Sequence, residues 1–225
     1  MRNTSNRSPY RALTKVYNKL YSFYGPQGWW PGDSRFEVIV GAILTQNTAW
    51  SNVEKAVRNL KAKGALASPV KMNALRRGEL ARLIRPSGYY NVKAARLHNF
   101  TSFLAERYSG RLGALAKVPT RRLRDELLAI NGIGPETCDS ILLYAFGRPV
   151  FVVDAYTRRV FSRHGLFIHD LPYESVQALF TENLPSDEKV FGEYHALIVR
   201  LAKGCCKTKP QCEKCPLSGI KLLAK

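Results

Sequence analysis

An all-α protein is what this 225-residue chain predicts. Apolar residues recur at helical spacing in segment after segment, and no stretch sustains the alternation of a half-buried strand. In the middle of the chain a Gly-x-Gly turn separates two amphipathic segments. With 45% hydrophobic residues, the chain can bury a sizeable core as one domain or as two lobes.

The first clear stripe is Val53, Ala56, Val57 and Leu60, which share one helical face. Arg121 to Ile130 places Leu123, Leu127 and Ile130 at i, i+4 and i+7, and Glu136 to Phe146 places Cys138, Ile141, Leu142 and Ala145 at i, i+3, i+4 and i+7. Between these two helices, Gly132 and Gly134 permit positive φ and leave no side chain against a close ligand, while Pro135 suits the first turn of the second helix. The segment 121–146 therefore reads as a helix-hairpin-helix, whose exposed N–H groups can hold a phosphate without reading a base. An ordinary αα-hairpin shares the pattern, so the two glycines do not decide the matter alone. The last stripe is Val190, Tyr194, Leu197, Ile198 and Leu201, with Ser186 expected as its N-cap and Asp187 and Glu188 favouring the helix start.

Charge narrows the class of partner. Lys plus Arg number 35 against 17 Asp plus Glu, a net charge of +18 and a pI near 10.0, as expected of a nucleic-acid binder. Arg76, Arg77, Lys93, Arg96, Arg121, Arg122 and Arg124 are scattered, however, and would equally serve a solvated basic surface. There is no apolar run long enough to span a bilayer, no basic amphipathic helix of the membrane-surface kind, and no secretory apolar region in Met1 to Gly25. The expected location is the cytoplasm, at the nucleoid, without a membrane partner. Five cysteines, four crowded near the C-terminus, point to metal or cluster chemistry in a reducing compartment rather than to a disulfide framework.

Several words in one order carry a resemblance. These are Trp29-Trp30-Pro31, Leu44-Thr45-Gln46-Asn47-Thr48, Arg85-Pro86-Ser87-Gly88-Tyr89-Tyr90-Asn91, Gly132-Ile133-Gly134 with Glu136, the turn Gly147-Arg148-Pro149, and Val152-Val153-Asp154. From about Trp29 to Cys215 the chain resembles the endonuclease III superfamily of helix-hairpin-helix DNA glycosylases, and within it most resembles the bacterial 3-methyladenine DNA glycosylase III subgroup. The resemblance implies two lobes with a DNA-binding cleft between them: a six-helix lobe over residues 27–148 carrying the helix-hairpin-helix, and a second helical lobe from 1–26 plus 149–225 carrying a cysteine loop at 205–215. It implies a monomer acting on double-stranded DNA that contains a damaged base.

The same resemblance distributes roles. Asp154 matches the catalytic carboxylate, which would stabilise the positive charge developing on deoxyribose as the N-glycosidic bond breaks and orient or deprotonate water. An Asp before Ala155-Tyr156-Thr157 is equally suited to cap a helix, and both roles are compatible. Glu136 stands where the lyase-type members carry a Lys that forms a Schiff base, so a monofunctional glycosylase is expected. Its carboxylate reads either as a pocket residue or as a first-turn acid favoured by the helix dipole. Gln46 would fill the gap left by a flipped nucleotide, and Tyr89 matches a second wedge. Gly132 and Gly134 would hold the strand. Trp29, Trp30 and Trp50, every tryptophan in the chain, fall on or beside words that line the subgroup's base pocket, where electron-rich rings attract a cationic base such as 3-methyladenine. Core packing is the other use of these rings.

Two departures qualify the match. Leu197 stands where the known subgroup member carries a Lys near the base pocket, so the range of substrates is open; His195, two residues before it, would anchor the second lobe or line the pocket, and reads first as a satisfied structural histidine. Cys205, Cys212 and Cys215 match three ligands of the family's C-x6-C-x2-C-x5-C iron–sulfur signature, but the fourth position is Lys221. Cys206 would complete four thiolates for a [4Fe–4S] cluster, with zinc or a metal-free remnant as alternatives. Cys138 reads as core. The alternatives to an alkyl-base glycosylase are a bifunctional glycosylase and lyase for oxidised pyrimidines and a non-catalytic DNA-binding iron–sulfur module.

Overall fold

The computed structural model describes residues 9–222. Residues 1–8, at the start of the segment expected in the second lobe, and residues 223–225 at its end lie outside the described residues. Twelve α-helices and no strand run through the described chain, in agreement with the all-α expectation. In order they are α1 (Pro9–Tyr24), α2 (Arg35–Leu44), α3 (Trp50–Ala62), α4 (Pro69–Asn73), α5 (Arg77–Leu83), α6 (Tyr90–Tyr108), α7 (Leu112–Leu115), α8 (Thr120–Leu128), α9 (Pro135–Ser140), α10 (Ala155–Arg163), α11 (Tyr173–Thr181) and α12 (Glu188–Gly204). The chain divides into two compact units, Trp30–Arg148 and a second that joins both chain ends.

The unit Trp30–Arg148 is built around α2, an apolar helix whose residues from Phe36 to Leu44 are all buried. A helix that is apolar all round must be covered on every side, and α2 accordingly touches α3, α6, α9 and the turn that follows α9. Ser34 starts it by accepting the Glu37 amide. Val53, Ala56, Val57 and Leu60 of α3 are buried, as their spacing predicts. The second helix of the hairpin is not one helix over 136–146: α9 ends at Ser140 and passes into a π-helical turn, Ile141–Ala145. A π turn takes an extra residue into the helical path, and Ile141, Leu142, Leu143 and Ala145 are all buried there. Cys138 is fully buried, with its thiol pushed up to about 12 by that burial.

In the other unit, Phe151, Phe161, Phe180, Phe191 and Tyr194 form an aromatic core. Residues 9–24 form the helix α1: Leu13, Val16 and Leu20 are buried and the backbone carbonyl of Leu13 accepts from the Tyr194 hydroxyl at 2.9 Å. The N-cap of α12 is Asp187 rather than Ser186. Its carboxylate accepts from the amides of both Lys189 and Val190, at 2.7 and 3.0 Å, and it adds a negative charge where the dipole favours one.

Candidate active site

In the unit Trp30–Arg148 the hairpin is held open by local geometry. Gly132 has φ +94°, and a Cβ there would lie 2.3 Å from Cγ of Arg96, whose side chain packs across the glycine. Gly134 has an extended backbone with φ −89°, and nothing lies within 4 Å of where its Cβ would be. Arg124 of α8 and Asp139 of α9 are joined by two hydrogen bonds of 2.8 and 3.2 Å, which tie the two hairpin helices together around a carboxylate with no exposure. Glu136 is exposed in the first turn of α9.

Gln46 is half-buried and tied to the hairpin. Its amide nitrogen donates to the carbonyl of Gly132 at 3.0 Å and to the Thr137 hydroxyl at 2.9 Å, and its oxygen accepts from the Arg96 guanidinium. Tyr89 is 72% exposed and sits in the left-handed region at φ 46°, as does Asn47 beside Gln46 at φ 51°. Both turns therefore present polar or aromatic groups from backbone conformations that L residues rarely adopt.

Trp30 and Trp50 are brought together, with ring centroids 5.4 Å apart at an interplanar angle of 89°. Tyr144, on the π-helical turn, lies 5.1 Å from Trp30 and completes a three-ring group that the sequence did not flag. The signal was indirect: a tyrosine among the apolar residues of the second hairpin helix. Gly41 of α2 makes room for this group, since a Cβ there would come within 3.3 Å of the Trp30 indole nitrogen. Trp29 belongs to the other unit, where the ammonium of Lys203 lies 5.9 Å from its ring centroid.

In that second unit Asp154 follows the buried run Phe151–Val153 and is the N-cap of α10, its Oδ1 accepting from the Thr157 amide at 2.7 Å. The other carboxylate oxygen, Oδ2, is 3.4 Å from Nε2 of His195 on α12. Both side chains are buried, Asp154 at 8% and His195 at 4% exposure. Burial alone would raise the carboxyl pKa, but the charge of His195 and the Thr157 amide outweigh it and hold the group below the usual carboxylate range. His195 is thus a neighbour of the candidate carboxylate, a placement that its position on an apolar helix concealed. Leu197, one residue beyond Ala196, is fully buried.

The cysteine loop is fastened by arginines. Arg159 donates to the carbonyl of Cys206 at 2.7 Å, and Arg163 donates to the carbonyls of Lys207 and Thr208 at 2.6 and 2.9 Å. The Cys205 thiol donates to the Lys214 carbonyl at 3.3 Å, and Cys206 Sγ lies 3.5 Å from the Arg163 guanidinium. Burial and then the nearby Cys205, Cys206 and Cys212 raise the Cys215 thiol, opposed by an amide hydrogen bond from Leu217. Four thiols therefore share one region, and among the described residues they form no group placed to hold a metal ion.

A helical DNA-repair fold, with a glycine hairpin and a separate capped carboxylate, is the class that these features define. The chain belongs to the HhH-GPD superfamily of base excision DNA repair proteins, whose model matches residues 40–186. It is 49% identical to a Methanocaldococcus jannaschii protein provisionally named as a DNA repair glycosylase, over 92% of this chain and 94% of that one. It is 31% identical to endonuclease III of Thermotoga maritima, over 82% and 81% of the two chains. Among solved structures, the H. pylori 3-methyladenine DNA glycosylase bound to 1,N6-ethenoadenine is similar at a TM-score of 0.74 and 28% identity, over 87% of this chain and 97% of that one. The protein is a DNA glycosylase of base excision repair. No helix among the described residues is long and apolar enough to cross a membrane.

Proposed function

We propose that this glycosylase is monofunctional and releases an alkylated base such as 3-methyladenine from double-stranded DNA. The observation that carries the reading is Asp154, a buried carboxylate held ionised by the Thr157 amide and His195. A carboxylate with a lowered pKa is a weak base but a good counter-charge. It would therefore act chiefly by stabilising the cationic sugar as the bond from C1′ to the base breaks and its electron pair leaves with the base. Water then adds at C1′ and gives up its proton, leaving an abasic site. A base alkylated at a ring nitrogen is already cationic and departs neutral, so no strong acid is required to protonate it.

The three-ring group supports the same substrate class. Trp30, Trp50 and Tyr144 offer electron-rich faces, and cation–π attraction contributes on the order of 1 kcal/mol at an exposed contact and more when water is excluded. Similarity to the 3-methyladenine glycosylase points in that direction also. In this reading Trp30, Trp50 and Glu136 line the pocket, Gly132 and Gly134 hold the backbone, and Gln46 and Tyr89 enter the duplex. The cysteine loop would contact phosphate rather than take part in bond cleavage.

Mass spectrometry of the bases released from alkylated and from oxidised DNA tests the substrate. Asp154→Asn should bind duplex yet release no 3-methyladenine, and normal turnover by that variant would remove the basis of the proposal. A second reading, a bifunctional lyase, is favoured by the similarity to endonuclease III. It requires an amine to form a Schiff base, whereas residue 136 is Glu. Borohydride should trap no covalent complex, and a strong adduct would establish the lyase instead.

A further inference from the structure

Among the described residues Lys93 is the one fully buried ammonium in the unit Trp30–Arg148, at 1% exposure. It lies in the first turn of α6, where the dipole of its own helix disfavours a cation. A Leu or Met would fill such a position without having to desolvate a charge. The ammonium instead donates to the Leu44 carbonyl at 2.8 Å, the Thr48 hydroxyl at 2.9 Å and the Ser87 carbonyl at 2.7 Å. Those three bonds use every proton it has. Thr48 donates in turn to the Ser87 carbonyl, so the two acceptor segments are also joined directly. The charge lies at the C-terminal end of α2, which does favour a cation.

What these bonds join is informative. Leu44 and Thr48 bracket Gln46 and the left-handed Asn47; Ser87 is two residues before the left-handed, exposed Tyr89. Among the described residues only three non-glycine positions have positive φ, and two of them lie in these turns.

We infer that Lys93 is a positioning residue which locks the Gln46 turn to the Tyr89 turn, so that both side chains enter the duplex as one rigid wedge. This rests on the reading of Gln46 and Tyr89 as the residues that enter DNA. Burial, and then the nearby charge of Arg96, bring the Lys93 pKa down to about 8, the strain expected of a cation kept in the interior for its geometry. Full hydrogen bonding offsets that strain, and loss of the ammonium would leave two carbonyls and a hydroxyl without their common donor.

The experiment uses a duplex carrying a tetrahydrofuran abasic analogue opposite 2-aminopurine, whose emission reports side chains inserted beside the widowed base. The readout does not depend on which lesion is excised. Lys93→Met should raise the midpoint of the emission change about tenfold, the scale of losing a charged hydrogen bond, while affinity for undamaged duplex stays within about twofold. Thr48→Val should move the midpoint in the same direction by a few-fold, and it provides the answer if the Met variant does not fold. An unchanged midpoint in folded variants overturns the proposal, as does an equal loss of affinity for damaged and undamaged duplex, which marks a merely structural lysine. Gln46→Ala with Tyr89→Ala is the separate control: if that pair leaves the emission unaltered, the wedge reading itself fails, whereas an effect of the pair with none from Lys93 overturns only the positioning role.

Discussion

Removal of His195 should expose how Asp154 is kept ionised. The two groups lie 3.4 Å apart, and both are buried. Two unit charges at that separation attract by about 5 kcal/mol for an effective dielectric near 20, when the imidazole is protonated. Breaking one side of a buried charged pair typically costs about 3–5 kcal/mol, a comparable figure. His195→Leu would remove the nearby charge, and desolvation would then push the Asp154 pKa upward. His195→Gln would keep an N–H in reach without the charge. The assay is single-turnover base release as a function of pH. The acidic limb should move to higher pH in the Leu variant, less far in the Gln variant, with rates recovering at alkaline pH where the carboxylate is again ionised. Below the shifted limb, loss of the counter-charge should slow release on the order of 100-fold or more. Stability follows the same sign. Because the folded-state pKa of Asp154 is depressed, its contribution is fully present above the unfolded value and is lost as pH falls through the folded one. The wild-type advantage over the Leu variant should therefore be largest near neutrality and shrink in acid. A pH–rate profile that coincides with wild type in a folded Leu variant would refute this account of the carboxylate.

The two hairpin glycines should separate fold from ligand. Gly134→Ala meets open space at an ordinary φ and should change stability by less than about 0.5 kcal/mol, so any loss of duplex affinity in fluorescence anisotropy reports a phosphate approaching that Cβ; unchanged affinity would argue against the clamp. Gly132→Ala forces a Cβ into Arg96 at positive φ and should lower stability by about 1–3 kcal/mol as well as affinity, read from urea unfolding. Arg124→Met leaves Asp139 buried without its guanidinium and should cost about 3–5 kcal/mol in thermal unfolding, with a loss below 1 kcal/mol showing the pair to be dispensable. Trp30→Ala should weaken inhibition by the permanently cationic 3,9-dimethyladeninium more than inhibition by neutral adenine, and equal effects would deny the ring group its preference for cations.

What the sequence revealed about this fold depended on periodicity. The stripe Val53, Ala56, Val57 and Leu60 could be read because a single face is buried, and the all-α class followed from several such stripes. α2 offers no stripe, since burial on every side erases it, and the π-helical turn after Ser140 breaks the period that it otherwise continues. Caps divided in the same way: Asp154 before Ala155-Tyr156-Thr157 announced a helix start from local chemistry alone, whereas Ser186 and Asp187 are adjacent cap formers and only backbone geometry selects between them. At the candidate site, the residues carried by short words were visible, and those that meet only through the fold were not. Lys93 looks like one more scattered basic residue, although bonds to the distant Leu44 and Thr48 and to the nearby Ser87 converge on it. His195 looks like a histidine on an apolar face, and Tyr144 like a core aromatic. Each gains its meaning from a partner far away in the chain, and a polar side chain without its partner in view is indistinguishable from one that merely tolerates burial. The hidden part of such a site therefore lies where an unpromising polar residue is buried at a position that a hydrophobe would fill more cheaply, as Lys93 does in the first turn of α6.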